Sequence, residues 1–491
     1  MFRLPSVALA ITFMLVSLSR AQTSTSNTSL VELRPAGTLS ISSRLKLSPA
    51  LLATKDARGV LNGVDDFGRA VITTANAALS KLRLSASVMS VLQATPPSWN
   101  SVKRLKLSYK SGSRPTEGEL KEIGLKLIED YEKGSFLVVE PLGKQIDAKL
   151  VDKLTSNSKI QYAAPSVALK AIPPSNLSGT GASPRVPITS PNDPRVSELW
   201  GMQNIHAPAA WGKKHDSDVV VAVIDTGVDY SHEDLQDNIW TDANGKHGFD
   251  FVENNDDPMD RHGHGTHCAG TIGAVGDNQK GVVGVNWHVK IMAVRWLDAN
   301  GNGEVVNAIK AIDFAVDHGA KILSNSWYYS EYDPDLEAAI KRANDSKVLF
   351  VAAAGNFAAV TDNNGGDNDQ ETTMGRIPSA LPVENIIAVA AIDSDDQKAG
   401  FSEFGKKTVN LGAPGVNILS TVPHNDYDGT FSGTSMATPH VAGAAALTMV
   451  ATGANPLQAK KLLLDHARKI PALKDKCTTD GTLDIAFLGS P

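Results

Sequence analysis

The 491-residue chain reads as an α/β protein, a parallel sheet covered by helices on both faces, preceded by a small α+β domain. Three observations predict this. Beyond residue 195, short continuous apolar runs alternate with helical segments, the pattern of strands buried on both faces of a parallel sheet. Between residues 101 and 172, shorter strand and helix patterns follow one another in the order of a split β-α-β-β-α-β unit. Between the two, residues 173–194 hold six prolines together with Ser, Gly and Asn, which marks a linker.

The first segment is Met1-Phe2-Arg3, an apolar stretch from Val7 to Leu18, and Ser19-Arg20-Ala21. A positive start, a short apolar middle and small residues at the end predict a secretory signal over 1–21, cleaved after Ala21. About 12 apolar residues cannot cross ~30 Å of hydrocarbon, and no later run is longer. A secreted, extracellular protein without a membrane segment is expected. Residues 22–100 are rich in Ser, Thr, Ala and Leu and carry no usable motif.

In the small domain, Val102 to Tyr109 reads as a strand with Leu105, Leu107 and Tyr109 on one face. Thr116 followed by Glu119 is a capping-box pattern. Leu120, Ile123, Leu127 and Ile128 fall at helical spacing after it. Phe136 to Glu140 is expected as a strand, Asp147 to Leu154 as a helix, and Ile160 to Leu169 as one or two closing strands. This superfold by itself assigns no function.

The large domain, 195–491, opens its sheet with Val219 to Ile224. Ile291 to Val294, Ile322-Leu323, Val348 to Ala354 and Ile386 to Ala391 repeat the pattern, and Val305 to His318 is one of the intervening helices. Active sites of such sheets lie at the carboxyl ends of the strands.

Composition narrows the partners. Residues 1–190 carry 24 Lys+Arg against 13 Asp+Glu, a charge of +11, and the remainder carries −17. An acidic large domain excludes nucleic acid, which requires a basic footprint. It suits bound cations and would attract a cationic N-terminal domain, although acidity alone also keeps a secreted protein dissolved. Two cysteines, Cys268 and Cys477, are no disulfide framework; two free thiols are expected in preference to a bridge, with Cys268 buried in its apolar, helix-like run.

The chemistry concentrates in a few segments. Ser435 lies in Ser432-Gly433-Thr434-Ser435-Met436-Ala437-Thr438-Pro439-His440, ahead of an Ala-rich helix, so free backbone N–H groups face it. His264 lies in Gly263-His264-Gly265-Thr266-His267-Cys268, again glycines opening an apolar helix. Asp225 ends the strand Val219 to Ile224. Taken singly, these are a helix cap, a core histidine and a strand-ending turn. Taken together, they are a hydroxyl that needs a base, a base, and a carboxylate able to fix an imidazole tautomer.

Their order, with spacings of 39 and then 171 residues, is that of subtilisin. Over roughly residues 192–470 the sequence resembles the subtilisin family of serine proteases, with a thermitase and proteinase K flavour. The resemblance rests on Val221-Ala222-Val223-Ile224-Asp225-Thr226-Gly227-Val228-Asp229 and on the His264 and Ser435 segments. It implies a serine endopeptidase acting on proteins and peptides through an acyl-enzyme. Asn356, ending Val351 to Asn356, then matches the side chain that donates to the oxyanion. A catalytically dead scaffold would require a substituted triad or oxyanion residue, and none is substituted. A restricted exopeptidase is the other alternative.

The resemblance also implies a substrate edge at Gly301-Asn302-Gly303 that pairs with an extended peptide. Ser326-Trp327 and Ala354-Gly355 would flank the specificity pocket. Tyr328 and Tyr329 depart from the family's glycines, so a narrowed or re-roofed pocket is expected. The acidic stretch Thr361 to Glu371 reads as a solvated loop, with selection of basic or polar substrates as the other reading. Structural Ca²⁺, which takes hard oxygen ligands in flexible loops, is implied at Asp193, Asp234, Asp277 and Asn278. A second, weaker site is expected at Asp250, Asn255 and Asp257. Residues 101–172 resemble the family's propeptide, which inhibits its own protease until the linker is cut. The mature enzyme is expected to be a monomer.

Overall fold

The computed structural model describes residues 30–33, 43–46, 104–143, 150, 154, 157–166, 168–171, 191–329, 332–356, 365–370 and 376–489. The expected signal segment and most of 22–100 and 173–194 lie outside the described residues. The described part of 22–100 is two short antiparallel strands, Leu30–Leu33 and Ser43–Lys46. The chain divides into two compact units, 1–166 and 167–491.

The first unit is a four-stranded antiparallel sheet in the order Leu125–Tyr131, Phe136–Pro141, Leu105–Tyr109, Ile160–Pro165. This is the strand order of the split unit. The helix Glu117–Glu122 starts where expected: Thr116 Oγ1 accepts from Glu119 N at 3.3 Å, and Glu119 Oε2 accepts from Thr116 N at 2.8 Å. Leu127 and Ile128, expected on that helix, lie instead in the strand Leu125–Tyr131. Gly124, at φ 89°, takes the left-handed conformation that stops a helix. The strand then bulges between Leu127 and Glu129, which breaks the two-residue alternation that would have betrayed it. Leu150 and Leu154, the described positions of the expected second helix, are buried in the core with Leu105, Leu107, Leu120 and Leu137.

The second unit is built on a nine-stranded sheet. Its order is Arg468–Lys469, Gly481–Thr482, Leu411–Pro414, Ile386–Ile392, Leu349–Ala353, Ile322–Asn325, Asp216–Asp225, His288–Arg295, Gly248–Asp250. All neighbours are parallel except the first two. From Asp216–Asp225 the chain builds one side of the sheet and then returns to build the other. The strand order therefore reverses at Asp216–Asp225, and sheets of this kind place their sites beyond the carboxyl end at such a point.

Ala168–Ala171, the last strand expected at the end of the small domain, groups with the second unit. It is the central strand of a three-stranded antiparallel sheet, between Asn302–Glu304 and Trp327–Tyr328.

Two helices form the interior of the second unit. His264–Gly273 is buried throughout, and Thr434–Thr452 is buried from Thr434 to Thr448. A helix apolar on all sides belongs in a core, and Ala- and Gly-rich sequence lets it approach its neighbours. A Cβ at Gly443 would stand 2.8 Å from Val285 Cβ and 3.2 Å from the Ile272 carbonyl of the other helix. Gly443→Val is therefore expected to cost about 2–3 kcal/mol through overpacking. In a Ser435→Ala background, which avoids self-digestion, calorimetry should record a Tm lower by roughly 5–10 °C. An unchanged Tm would mean that this contact does not set the helix spacing.

Candidate active site

The carboxyl end of Asp216–Asp225 places Asp225 at that reversal, with Asp225 and His264 both buried. Asp225 Oδ1 accepts from Thr226 N at 2.7 Å and lies 2.7 Å from His264 Nδ1. With Nδ1 protonated toward the carboxylate, Nε2 carries the lone pair, which is the tautomer a base requires. His264 Nε2 has no hydrogen-bond partner among the described residues. Burial disfavours a charged ring, but the charge and hydrogen bond of Asp225, with a contribution from Asp260, hold the His264 pKa above the ordinary imidazole value.

Ser435 is the second residue of the helix Thr434–Thr452, so its backbone N–H belongs to the first turn, which has no intrahelical acceptor. Its hydroxyl donates to the Ser326 carbonyl at 3.3 Å, while Ser326 Oγ donates to the Ser435 carbonyl at 2.9 Å. The hydroxyl thus rests away from the imidazole, as catalytic hydrogen bonds often do before substrate arrives. Cys268 Sγ contacts Ser326 and the Ser435 carbonyl, both at 3.5 Å, and lies within 4.8 Å of the facing Asp225 and His264 ligand atoms. Burial drives this thiol's pKa well above its ordinary value, so it acts as packing and not as a nucleophile. Cys477 is likewise free and buried.

Asn356 follows the strand Leu349–Ala353. Its amide oxygen accepts from Thr434 N at 3.0 Å and Thr434 Oγ1 at 2.8 Å. That fixes the amide so that Nδ2, buried and without an acceptor among the described residues, points its hydrogens elsewhere. Gly433, directly before the serine helix, admits it: a Cβ there would lie 2.8 Å from Asn356 Nδ2.

The two segments read as substrate edges both pair with the strand Ala168–Ala171. Asn302, Gly303 and Glu304 pair with Lys170, Leu169 and Ala168, and Trp327 and Tyr328 pair with Ala171 and Lys170. Gly301, at φ 72°, turns the chain into the first edge. Ala354 is buried with its carbonyl bound by Asn368 Nδ2 at 2.8 Å. The Gly355 carbonyl receives Glu403 N at 2.9 Å, and a Cβ on Gly355 would meet the Glu403 carboxylate at 2.1 Å. Trp327 is fully buried against Trp296, and Tyr329 is buried and bridged to Ile377. The described part of the acidic loop is structural: Asp369 accepts from Lys407 N, Thr408 N and Thr408 Oγ1 at 2.9–3.1 Å.

The first calcium set converges. Asp193 accepts from Asp277 N at 2.8 Å and Asn278 N at 3.4 Å, and Asp234 accepts from Asn278 Nδ2 at 2.7 Å and Val282 N at 3.0 Å. Burial, with the like charge of Asp193 nearby, pushes the Asp234 pKa up to about 6. Two carboxylates whose pKa values burial raises suit a bound cation, and turning the Asn278 amide would add its oxygen. The second set does not fit. Asp250 Oδ1 accepts from Val252 N and Glu253 N at 2.7 and 3.1 Å, and its other oxygen is paired with buried Arg295. Asn255 Oδ1 caps Asp257 N at 2.9 Å, and Asp257 receives Tyr230 Oη at 2.9 Å. The Arg295 charge already answers Asp250, so one of the three side chains expected to hold a second ion is committed to a cation of the protein itself.

Sequence reasoning did not single out Asp260, whose carboxylate receives five hydrogen bonds at 2.6–2.9 Å from Thr226, His262, Gly263 and Thr266. The available signal was an acid four residues before His264, in the turn that opens its helix.

Comparison with known proteins accords with this geometry. The subtilase family, peptidase S8, matches residues 216–484. A thermophilic serine proteinase of Bacillus sp. (strain AK1) is 36% identical over 355 residues, covering 72% of this chain and 78% of that protein. Thermitase of Thermoactinomyces vulgaris is 39% identical over 259 residues, covering 52% of this chain and 85% of thermitase. Among solved structures, fervidolysin from Fervidobacterium pennivorans, a keratinolytic enzyme related to subtilisin, superposes with a TM-score of 0.65 at 27% identity. That match covers 79% of this chain, which spans 61% of the fervidolysin chain. The chain belongs to the subtilase family: it is a subtilisin-like serine protease.

Proposed function

We propose that the chain is a secreted endopeptidase made as a self-inhibited precursor, with Asp225, His264 and Ser435 as its triad and Asn356 as oxyanion donor. The observation that carries this reading is the buried 2.7 Å contact of Asp225 with His264 Nδ1. It leaves Nε2 as a lone base in a crevice that also holds Ser435. An extended peptide seated between Asn302–Glu304 and Trp327–Tyr328 presents a carbonyl to Ser435. The hydroxyl turns from the Ser326 carbonyl to His264 Nε2, gives up its proton and attacks. The new oxyanion is met by Asn356 Nδ2 and the Ser435 N–H, donors already aimed before charge develops. The imidazolium, stabilised by Asp225, returns the proton to the leaving amine, and water repeats the cycle on the acyl-enzyme.

The pairing of Ala168–Ala171 between the two substrate edges supports the inhibitor reading, because the chain's own segment occupies the place of a peptide. Opposite charges of the N-terminal and large parts would strengthen the docking at low salt. Maturation is then a cut between about Ala171 and Asp193. Asp193 and Asp234, with Asp277 and Asn278, would hold one structural Ca²⁺, whose charge would offset two buried carboxylates.

Ser435→Ala is expected to leave less than about 1% of parental turnover with an unchanged fold, and its precursor to accumulate uncut. Activity above a few per cent in the purified variant would remove the triad assignment. Because His264 is the base and its pKa is raised, activity requires the neutral ring and is lost as pH falls through that pKa. The rising limb of kcat/KM against pH should lie above ~6.5; a flat profile from pH 5 to 8 would exclude a histidine base. Chelation should lower the Tm of the mature enzyme, since an ion bound only by the native state stabilises by mass action. Asp234→Ala should abolish that sensitivity, and a parent whose Tm ignores chelator would refute the calcium site.

A further inference from the structure

We propose that Asp260 is the positioning residue of the catalytic centre, joining the end of the aspartate strand to the start of the histidine helix. The proposal rests on the triad reading above. Asp225 and His264 come from two separate elements, and their 2.7 Å contact is only as reliable as the junction between those elements.

Asp260 is buried, 4% exposed, and both its oxygens are fully used. Oδ1 accepts from Thr226 Oγ1, His262 N and Gly263 N, each at 2.9 Å. Oδ2 accepts from Thr266 N at 2.9 Å and Thr266 Oγ1 at 2.6 Å. Thr226 directly follows Asp225 and donates its N–H to that carboxylate. Thr266 lies two residues after His264.

The two threonines extend the clamp in both directions. Thr226 Oγ1 donates to Asp260 and accepts from Gly265 N at 2.9 Å. Thr266 Oγ1 donates to Asp260 and accepts from Asp229 N at 2.9 Å. Each hydroxyl thus ties one element to the other through the same carboxylate. The anion also stands before the N-terminus of a ten-residue helix, where the aligned peptide dipoles favour negative charge. A neutral side chain would satisfy fewer of these donors and leave others orphaned.

A simple cap would account for stability alone. The difference lies in what is linked: the clamp touches the neighbours of both Asp225 and His264 but neither substrate edge. Loosening it should displace the base relative to its carboxylate while leaving peptide binding intact. A displacement of about 1 Å can cost ~10²-fold in rate.

The test is kcat per active site, counted by labelling Ser435 with a sulfonyl fluoride, so that unfolded molecules do not contribute. In Asp260→Asn, the amide nitrogen presents a donor where the carboxylate accepted one. This variant should lose about 10–100-fold in kcat per labelled site, with KM within about twofold of the parent. Thr226→Val, which keeps the shape and removes one link, should fall in kcat in the same way by about tenfold. A lowered Tm with parental kcat per labelled site in Asp260→Asn would overturn the proposal. If Asp260→Asn does not fold, parental kcat in Thr226→Val overturns it. A parent that the reagent fails to label at Ser435 would sink the triad reading first, and this proposal with it.

Discussion

The proposed catalytic centre depends on how closely a helix can cross the end of a strand. Strand Asp216–Asp225 delivers a carboxylate and helix His264–Gly273 delivers an imidazole, and neither element reaches the other unless their backbones nearly touch. At the crossing a Cβ on Gly265 would come within 2.0 Å of the Gly227 carbonyl and 3.2 Å of Asp225 Cβ. Only hydrogen fits in that space. Gly227, at φ 104°, turns the chain away immediately after Asp225, where a Cβ would strike the Pro258 carbonyl at 2.4 Å. These two glycines occupy the same compact knot that Asp260 holds with its five acceptor contacts. Steric permission and polar attachment act at one place, and the contact of Asp225 with His264 follows from both.

Burial then gives that geometry its electrostatic force. Asp225 and His264 are withdrawn from water, and in a medium of low dielectric a charge pair interacts far more strongly than at the surface. Arg295, the buried cation of the neighbouring strand, is paired with Asp250, so it does not compete for Asp225. Asn356 is fixed in the same way: Thr434 takes its oxygen and leaves the nitrogen without an acceptor among the described residues. The helix of Ser435 contributes its own N–H by position alone. Reorganisation has been completed during folding, which is the physical content of preorganised catalysis.

The cleft edges depend on the same sheet. Asn302–Glu304 follows strand His288–Arg295 and Trp327–Tyr328 follows strand Ile322–Asn325, the two strands that flank Asp216–Asp225. Both segments therefore leave the sheet from the strands on either side of the switch point. Trp327, packed on Trp296 at 4.9 Å between ring centroids, stiffens the second edge from beneath. The bridge from Tyr329 to Ile377 anchors the chain just beyond that edge.

By itself the sequence determined the fold class, the strand that carries Asp225 and the helices that carry His264 and Ser435. Their apolar runs have one period, and glycines mark each entrance. It determined the free thiols and the capping box at Thr116 for the same reason, since each is a local matter of composition or of residues three apart. Strands Gly248–Asp250 and Leu411–Pro414 escaped it, being too short to show a period, and the strand Leu125–Tyr131 was hidden by its bulge. Only the tertiary structure decided what lies between distant segments. It showed that Arg295 answers Asp250, which takes that carboxylate out of the expected second cation site. It placed Thr434 against Asn356, 78 residues away, and made Asp260 the meeting point of Thr226 and Thr266. Hydrogen bonds across such separations have no local signature, because they arise from the crossing of elements and not from the order of residues within one.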